Sequence, residues 1–375
     1  MARFLAMTSR GLIDVLDEEL RELGLQKVLK HPSGVYFEGS WADCYRANLR
    51  SRIATRIILP VLDFPAYKPE ELYANVLKHD FTKYIPATGK ISVDAHVRDS
   101  GAFRDQRFVA MKVKDAVVDQ FREKFDVRPD VDTEKPDLKI VVRAVKNQFS
   151  IAIDTSGDSL FKRGYRVAMT DAHLKEHVAA GILRMAGYKG DRPVVDPMCG
   201  SGTILIEAAL IALNIAPGLL RKSFGFQRLN GFKRDEWEKV VSEAVAEEKS
   251  ELPFKLYGFD VDKQSLKVAQ QNARAADVEE FVEFERRPME TLTAPVESGL
   301  LVVDPPYGER LGEKDLLLDA YRDLAHTFKT SFKGWDCYVL SGAPELSAAM
   351  KLKAERKFPV YNGPIECRLL RYKMF

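Results

Sequence analysis

The sequence predicts an α/β protein in which a doubly wound, mostly parallel sheet follows two smaller α+β units. Three observations predict it. From about residue 170, strand-like and helix-like stretches alternate at the spacing of βαβ units. Before that point, helical periodicity mixes with hairpin-like strands. Three strand-like runs also end in an acid within a turn, in "DPMCGSGT" (196–203), "GFDVD" (258–262) and "DPPYGERLG" (304–312). Open α/β sheets place their chemistry at such carboxyl ends.

In the first unit, residues 1–65, "SRGLIDVLDEELRELG" spaces Leu12, Val15, Leu16, Glu19, Leu20 and Leu23 along one helical face, with Ser9 as the expected N-cap, and "GVYFEG" reads as a strand. The second unit, residues 66–155, carries helices in "ELYANVLKHDF" and "RFVAMKVKDAVVDQFREKF" and strands in "ISVDAHV", "LKIVVRAV" and "QFSIAID". The last two strands, broken by Lys146-Asn147, predict a hairpin. Residues 156–170 form a linker, where "GDSLFKRGYRVAM" gathers Lys162, Arg163 and Arg166 around Tyr165. Residues 171–375 then run helix, strand, glycine-rich turn and helix through "HLKEHVAAGILRMAG", "RPVVDPMCGSG", "TILIEAALIAL", "FKLYGFDVD", "KQSLKVAQQNARAA", "VEFERRPME" and "LLVVDPP". Residues 214–253 exceed an ordinary βα connection, so the helix "RDEWEKVVSEAVAEEKS" is expected to be an insertion packed on the domain surface.

A chain of 375 residues with 46% apolar and 30% charged residues has ordinary globular composition and the length for two or three domains. No apolar run approaches the roughly 20 residues that span a bilayer, and the N-terminal stretch turns acidic too early for a secretory signal, so a cytoplasmic protein is expected. Cys44, Cys199, Cys337 and Cys367 are scattered, which implies reduced thiols and no structural metal. Residues 1–170 carry 28 Lys+Arg against 24 Asp+Glu, and the remainder 29 against 31. The asymmetry permits a nucleic-acid partner without arguing for one.

Residues 194–203 join a strand to a helix through Gly200-Ser201-Gly202, where missing Cβ atoms let backbone amides approach a ligand. A dinucleotide fingerprint would need a third glycine where Leu205 stands, and an acid about 20 residues on; Asp260 lies 58 residues past Gly202. A cofactor with a ribose and an amino-acid arm but no phosphates instead wants carboxylates at both strand ends, and Asp196 and Asp260 supply them. That combination suits S-adenosylmethionine.

An exocyclic amine on a nucleobase is a poor nucleophile because its lone pair is delocalised into the ring, so a catalyst must orient it. Asp304 and the carbonyl of Pro305 can accept the two N–H bonds, Pro305 and Pro306 fix the turn, and Tyr307 offers a ring for stacking a flipped base.

Taken together, "DPMCGSGT", "GFDVD" and "DPPYGERLG" resemble the motifs of a Rossmann-like, S-adenosylmethionine-dependent guanine-N2 RNA methyltransferase. The preceding blocks and "FKRGYR" resemble that family's ferredoxin-like and THUMP domains, close to the bacterial large-subunit (23S) ribosomal RNA enzymes, and "NGPIECRLLRYKMF" resembles its last hairpin. The resemblance implies that Asp196, Met198, Cys199, Gly200, Ser201, Gly202 and Thr203 surround the methionine end of the cofactor, that Asp260 meets the ribose, and that Leu174 and Glu176 close the methionine pocket. It implies Asp304, Pro305, Pro306 and Tyr307 as the catalytic stretch, Lys162, Arg163, Tyr165 and Arg166 as RNA contacts, and Met289, beside Pro288 and Glu290, in the adenine-contacting segment. The chain departs from the family where His173 replaces a proline and where Asp304 stands in place of a frequent Asn. Cys199 invites a covalent mechanism, but amine methylation needs none, so a small buried residue is expected there.

An RNA substrate, and a monomer, are the partner expectations. Transfer RNA as substrate, adenine-N6 methylation and a non-catalytic RNA-binding assembly factor are the competing readings.

Overall fold

The structure, a computed structural model, describes residues 1–169, 174–306 and 314–375. His173, Tyr307 and Arg310 lie outside these described residues. Among the described residues no helix is long and apolar enough to cross a membrane, and the four cysteines are buried and form no disulfide.

The N-terminal region runs β1 (Ala2–Met7), α1 (Ile13–Glu22), β2 (Gln26–His31), β3 (Gly34–Gly39), α2 (Trp41–Arg50), β4 (Arg56–Pro65), α3 (Pro69–Val76), β5 (Ile91–Arg98), α4 (Gln106–Phe125), β6 (Leu138–Val145) and β7 (Gln148–Asp154). The two expected units share one seven-stranded sheet of order β2-β3-β1-β4-β7-β6-β5. β4 joins them, pairing antiparallel with β1 on one side and β7 on the other. Sequence reading missed β4 because "RIILPVLDFP" carries a proline inside a central strand. The ladder tolerates Pro60 because its register shifts there, in the bulge between Pro60 and Leu62. The predicted hairpin is present, with β6 and β7 antiparallel across Lys146 and Asn147. Alternation along the strands turns Phe4, Phe37, Ile57, Ile153, Ile140 and Val142 toward the helices and leaves the opposite face uncovered by them.

Helix α1 begins at Ile13 without a side-chain cap. Ser9, the expected cap, points elsewhere: its Oγ lies 2.7 Å from Nε2 of the buried His177.

The second region runs α5 (Glu176–Met185), β8 (Val194–Asp196), α6 (Thr203–Ala212), α7 (Arg234–Ala246), β9 (Leu256–Asp260), α8 (Lys263–Ala275), β10 (Val282–Arg286), β11 (Leu300–Val303), α9 (Lys314–Ser331), β12 (Asp336–Ser341), α10 (Pro344–Ala349), β13 (Arg356–Asn362) and β14 (Ile365–Lys373). Its sheet has the order β10-β9-β8-β11-β12-β14-β13, parallel from β10 to β12 and antiparallel at β14 and β13. Every residue of β11 is buried, as a parallel strand covered on both faces requires. Leu300 and Val302 face the α5, α6 and α8 side, while Leu301 and Val303 pack with Tyr321, Leu324 and Leu346 from α9 and α10. The predicted last hairpin is β13–β14, turning at Gly363, whose φ of +65° a glycine adopts without strain.

The 214–253 segment corrects the expectation of a peripheral insertion. Its helix α7 packs against α2 of the first region, and Phe226, Phe232 and Trp237 ring the buried Tyr45 at centroid distances of 4.5, 5.8 and 6.1 Å. Burying that much aromatic surface joins the two regions in one hydrophobic core.

Candidate active site

The chain leaves β8 for β9 and β10 on one side and returns to β11 and β12 on the other, so the switch point of the sheet lies between β8 and β11. The three motif acids therefore sit at the carboxyl ends of adjacent strands: Asp260 closes β9, Asp196 closes β8 and Asp304 follows β11. The strands that lead into these motifs are direct neighbours in the sheet.

The turn after β8 is built from backbone. Asp196 accepts from the Met198 N–H at 3.1 Å, the Cys199 N–H donates to the Phe259 carbonyl at 2.9 Å, and the Gly200 N–H donates to Asp260 Oδ2 at 2.9 Å. Asp260 Oδ1 accepts from the Asp262 N–H at 2.9 Å, so each carboxylate oxygen keeps a lone pair for a further donor. Gly200 has φ +52° and open space where a Cβ would stand. Gly202 has φ +79° and is tight, since a Cβ would come within 3.0 Å of Ala269 and 3.2 Å of Phe284. The first glycine leaves room beside the carboxylates; the second lets α6 approach α8 and β10.

Electrostatics at the crevice are dominated by like charge. Burial pushes the Asp196 carboxyl well above the ordinary carboxylate range, and the charges of Asp304 and Asp260 push it the same way. Among the described residues, Asp196 and Asp260 take part in no ion pair. Such a crevice favours a ligand that brings positive charge, and a sulfonium with an ammonium group meets that need. Burial likewise raises the Cys199 thiol well above its ordinary value, which makes it inert as a nucleophile.

The linker corrects a second expectation. Arg163 and Tyr165 are each 1% exposed, so neither can grip RNA. Arg163 pairs with the fully buried Glu207 of α6 at 3.4 Å and donates to the Arg52 carbonyl at 2.5 Å, and the Tyr165 hydroxyl donates to Glu207 at 3.1 Å. Arg52 in turn donates to the carbonyls of Leu210 and Ile215 at the end of α6. Arg166 is drawn inward too: it pairs with Glu176 at 3.0 Å and donates to the Leu174 carbonyl at 3.0 Å, Thr203 Oγ1 at 3.1 Å and Ser201 Oγ at 3.4 Å. Of the four, Lys162 alone has a solvent-exposed side chain, near Asp158.

The remaining expected residues divide. Leu174, Glu176, Ser201 and Thr203 cluster around Arg166. Met289 is buried among the side chains packed with Val195, Phe259 and Leu301, while Pro288 and Glu290 beside it are exposed. Pro305 is buried and Pro306 exposed. Sequence reading missed Asn272, whose buried amide accepts from the Val167 and Ala168 N–H groups and donates to the Ser201 carbonyl, tying the linker to the glycine turn. It also missed Glu207, although a lone acid inside the apolar "TILIEAALIAL" was its visible signal.

A switch-point crevice of this topology, with acids on three neighbouring strands around a glycine turn, defines a Rossmann-like domain of the methyltransferase class. The chain belongs to the family described as "RMKL-like, methyltransferase domain", which matches residues 163–371. A THUMP domain matches residues 66–154 and an RlmL ferredoxin-like domain residues 3–58. It is similar to the ribosomal RNA large subunit methyltransferase K/L of Syntrophotalea carbinolica, with 41% identity over 99% of this chain and 53% of that protein. The chain thus spans about half the length of the K/L relatives it matches. It is also similar to slr0064, a candidate RNA methyltransferase of Synechocystis sp., with 35% identity over 99% of this chain and 97% of that protein. Among solved structures it resembles SMU.472, crystallised with SAH, at TM-score 0.90 and 31% identity, covering 100% of this chain and 98% of that one.

Proposed function

We propose that this protein methylates the exocyclic N2 amine of a guanine in structured RNA, with large-subunit ribosomal RNA as the substrate. The observation that carries this reading is the placement of Asp196 and Asp304 at the ends of paired parallel strands, each within electrostatic reach of the other.

S-adenosylmethionine, when bound, supplies an electrophilic methyl group. Asp260 would hold its ribose, and Asp196 with the glycine turn its methionine end; the open space at Gly200 and the carboxylates of Asp196 and Asp260 fit such a group. The chain's own part is positional. Asp304 and the Pro305 carbonyl accept the two N–H groups of the target amine, which turns the nitrogen lone pair out of conjugation with the ring and toward the donor. The cationic amine formed on methylation gives its proton to the Asp304 carboxylate and then to solvent. Tyr307 offers the surface on which the flipped base stacks.

Support comes from the similarity to K/L enzymes and slr0064, and from the SAH bound in SMU.472. The test is to incubate the full chain with isotopically labelled S-adenosylmethionine and unmodified ribosomal or transfer RNA, then digest and identify the labelled nucleoside by mass spectrometry. N2-methylguanosine in large-subunit RNA is expected. Labelled N6-methyladenosine would overturn the choice of base, and label confined to transfer RNA the choice of substrate.

A further inference from the structure

We propose that Tyr321 is a positioning residue for the methyl-transfer step, its buried hydroxyl placed to donate to Asp304, a proposal that rests on the methyl-transfer reading above. β11 and β12 are parallel, so α9 between them must run the opposite way and begin at the carboxyl edge of the sheet. Side chains on a helix tilt toward its N-terminus, so those on the inner face of α9 lean toward the edge that carries Asp304. Tyr321, Leu324 and Phe328 belong to that inner face, and all three are completely buried. Tyr321 stands nearest the carboxyl edge of the three, in the cluster that holds Val303 and Val339 at the ends of β11 and β12.

Among the described residues the Tyr321 hydroxyl is buried and makes no hydrogen bond. A buried hydroxyl left in that state lowers stability, and phenylalanine would fill the same space without the penalty. Its polar neighbours are Asp304, which follows β11, and Ser341, which ends β12. Ser341 Oγ is already occupied by Ala343, donating to its carbonyl at 3.0 Å and accepting from its N–H at 3.4 Å. Burial pushes the Tyr321 hydroxyl well above its ordinary value and the charge of Asp304 pushes it the same way, so it keeps its proton and can serve as a donor. A phenol that donates to one carboxylate oxygen fixes where the other points, and here the other must meet the N–H of the target amine. Tyr188 supplies the contrast. Its hydroxyl is likewise buried without a hydrogen bond, but it stands ahead of β8 at the amino edge of the sheet, with Asp191 and Arg192 as its charged neighbours. Of the two, Tyr321 has an acid of the crevice within electrostatic reach.

The test measures methyl transfer by the full chain from labelled S-adenosylmethionine into unmodified large-subunit RNA, with thermal midpoints and SAH affinity followed alongside. Tyr321→Phe should lower kcat by roughly 10- to 100-fold while KM for both substrates and SAH affinity stay near parent values. Its thermal midpoint should equal or exceed the parent's, because the change removes an unsatisfied hydroxyl and no volume from the core. Tyr188→Phe, which removes the same kind of hydroxyl, should keep the parent rate. In a double-mutant cycle, Tyr321→Phe added to Asp304→Ala should slow methylation no further, since Tyr321 acts through Asp304. A parent-like kcat in Tyr321→Phe, or losses that multiply in the double variant, would remove the positioning role and leave the methyltransferase reading standing. Equal slowing in Tyr188→Phe would assign the effect to packing at large and remove it too. A parent chain that methylates no RNA sinks both.

Discussion

The two seven-stranded sheets of this molecule handle charge in opposite ways. The second is covered by helices on both faces, so its polar chemistry is confined to the strand ends, where Asp196, Asp260 and Asp304 crowd together. The first is covered on one face only, and its charge is spread over the other as a field of arginines. An all-buried parallel sheet concentrates function at a point; a half-covered mixed sheet displays it over an area.

Breaking the concentrated side should have the largest effect. Asp304→Ala is expected to lower the rate of methyl transfer by on the order of 10²- to 10⁴-fold, with SAH affinity by calorimetry little changed, whereas Asp304→Asn should retain more because it still accepts from the amine. Equal losses in both variants would mean that the carboxylate acts mainly as a base.

The joint between the two sheets is the next target. Glu207→Ala leaves the Arg163 guanidinium buried without its acid and should cost about 3 to 5 kcal/mol in urea unfolding. Glu207→Leu combined with Arg163→Met should recover much of that loss. If the single variant is neutral, the two regions are not fastened through this pair.

Per unit of pH, a smaller effect appears on acidification. His177 is 1% exposed, bonded to Ser9, and held by burial to about 3 against an ordinary value of 6.5. The unfolded chain therefore takes up a proton below pH 6.5 that the folded chain refuses, and stability falls by about 1.4 kcal/mol per pH unit until about pH 3. His177→Gln should remove this contribution from a plot of unfolding free energy against pH.

Smallest of all, Gly200→Ala should cost about 1 kcal/mol of stability, because the positive φ disfavours a side chain while the surrounding space is open. Its loss of SAH affinity should exceed that figure if a ligand occupies that space. A variant that loses stability alone would place the cofactor elsewhere.

Much of this was legible in the sequence where local pattern and burial agree. The run Leu300–Val303 is apolar throughout because both its faces are covered, and the acids and glycines after strands mark the crevice by type and spacing. Legibility failed where a partner distant in sequence decides the role. "FKRGYR" looks like a solvated basic patch until Glu207, 44 residues from Arg163, draws it inward. Helix α7 looks peripheral until Tyr45 supplies the surface that its aromatics cover. The arginine face escaped notice for the same reason: Arg3, Arg98 and Arg143 lie on three separate strands, and only register brings them to one side.

The bulged strand β4 has a consequence for how such proteins can be rearranged. Because it is a shared wall between the ferredoxin-like and THUMP matches, lifting out either segment as a cassette would bare a long raw edge on the other. Transplanting this N-terminal region onto another catalytic domain would therefore have to carry residues 1 to 155 as one block, and shuffling at residue 65 should yield aggregates rather than hybrids.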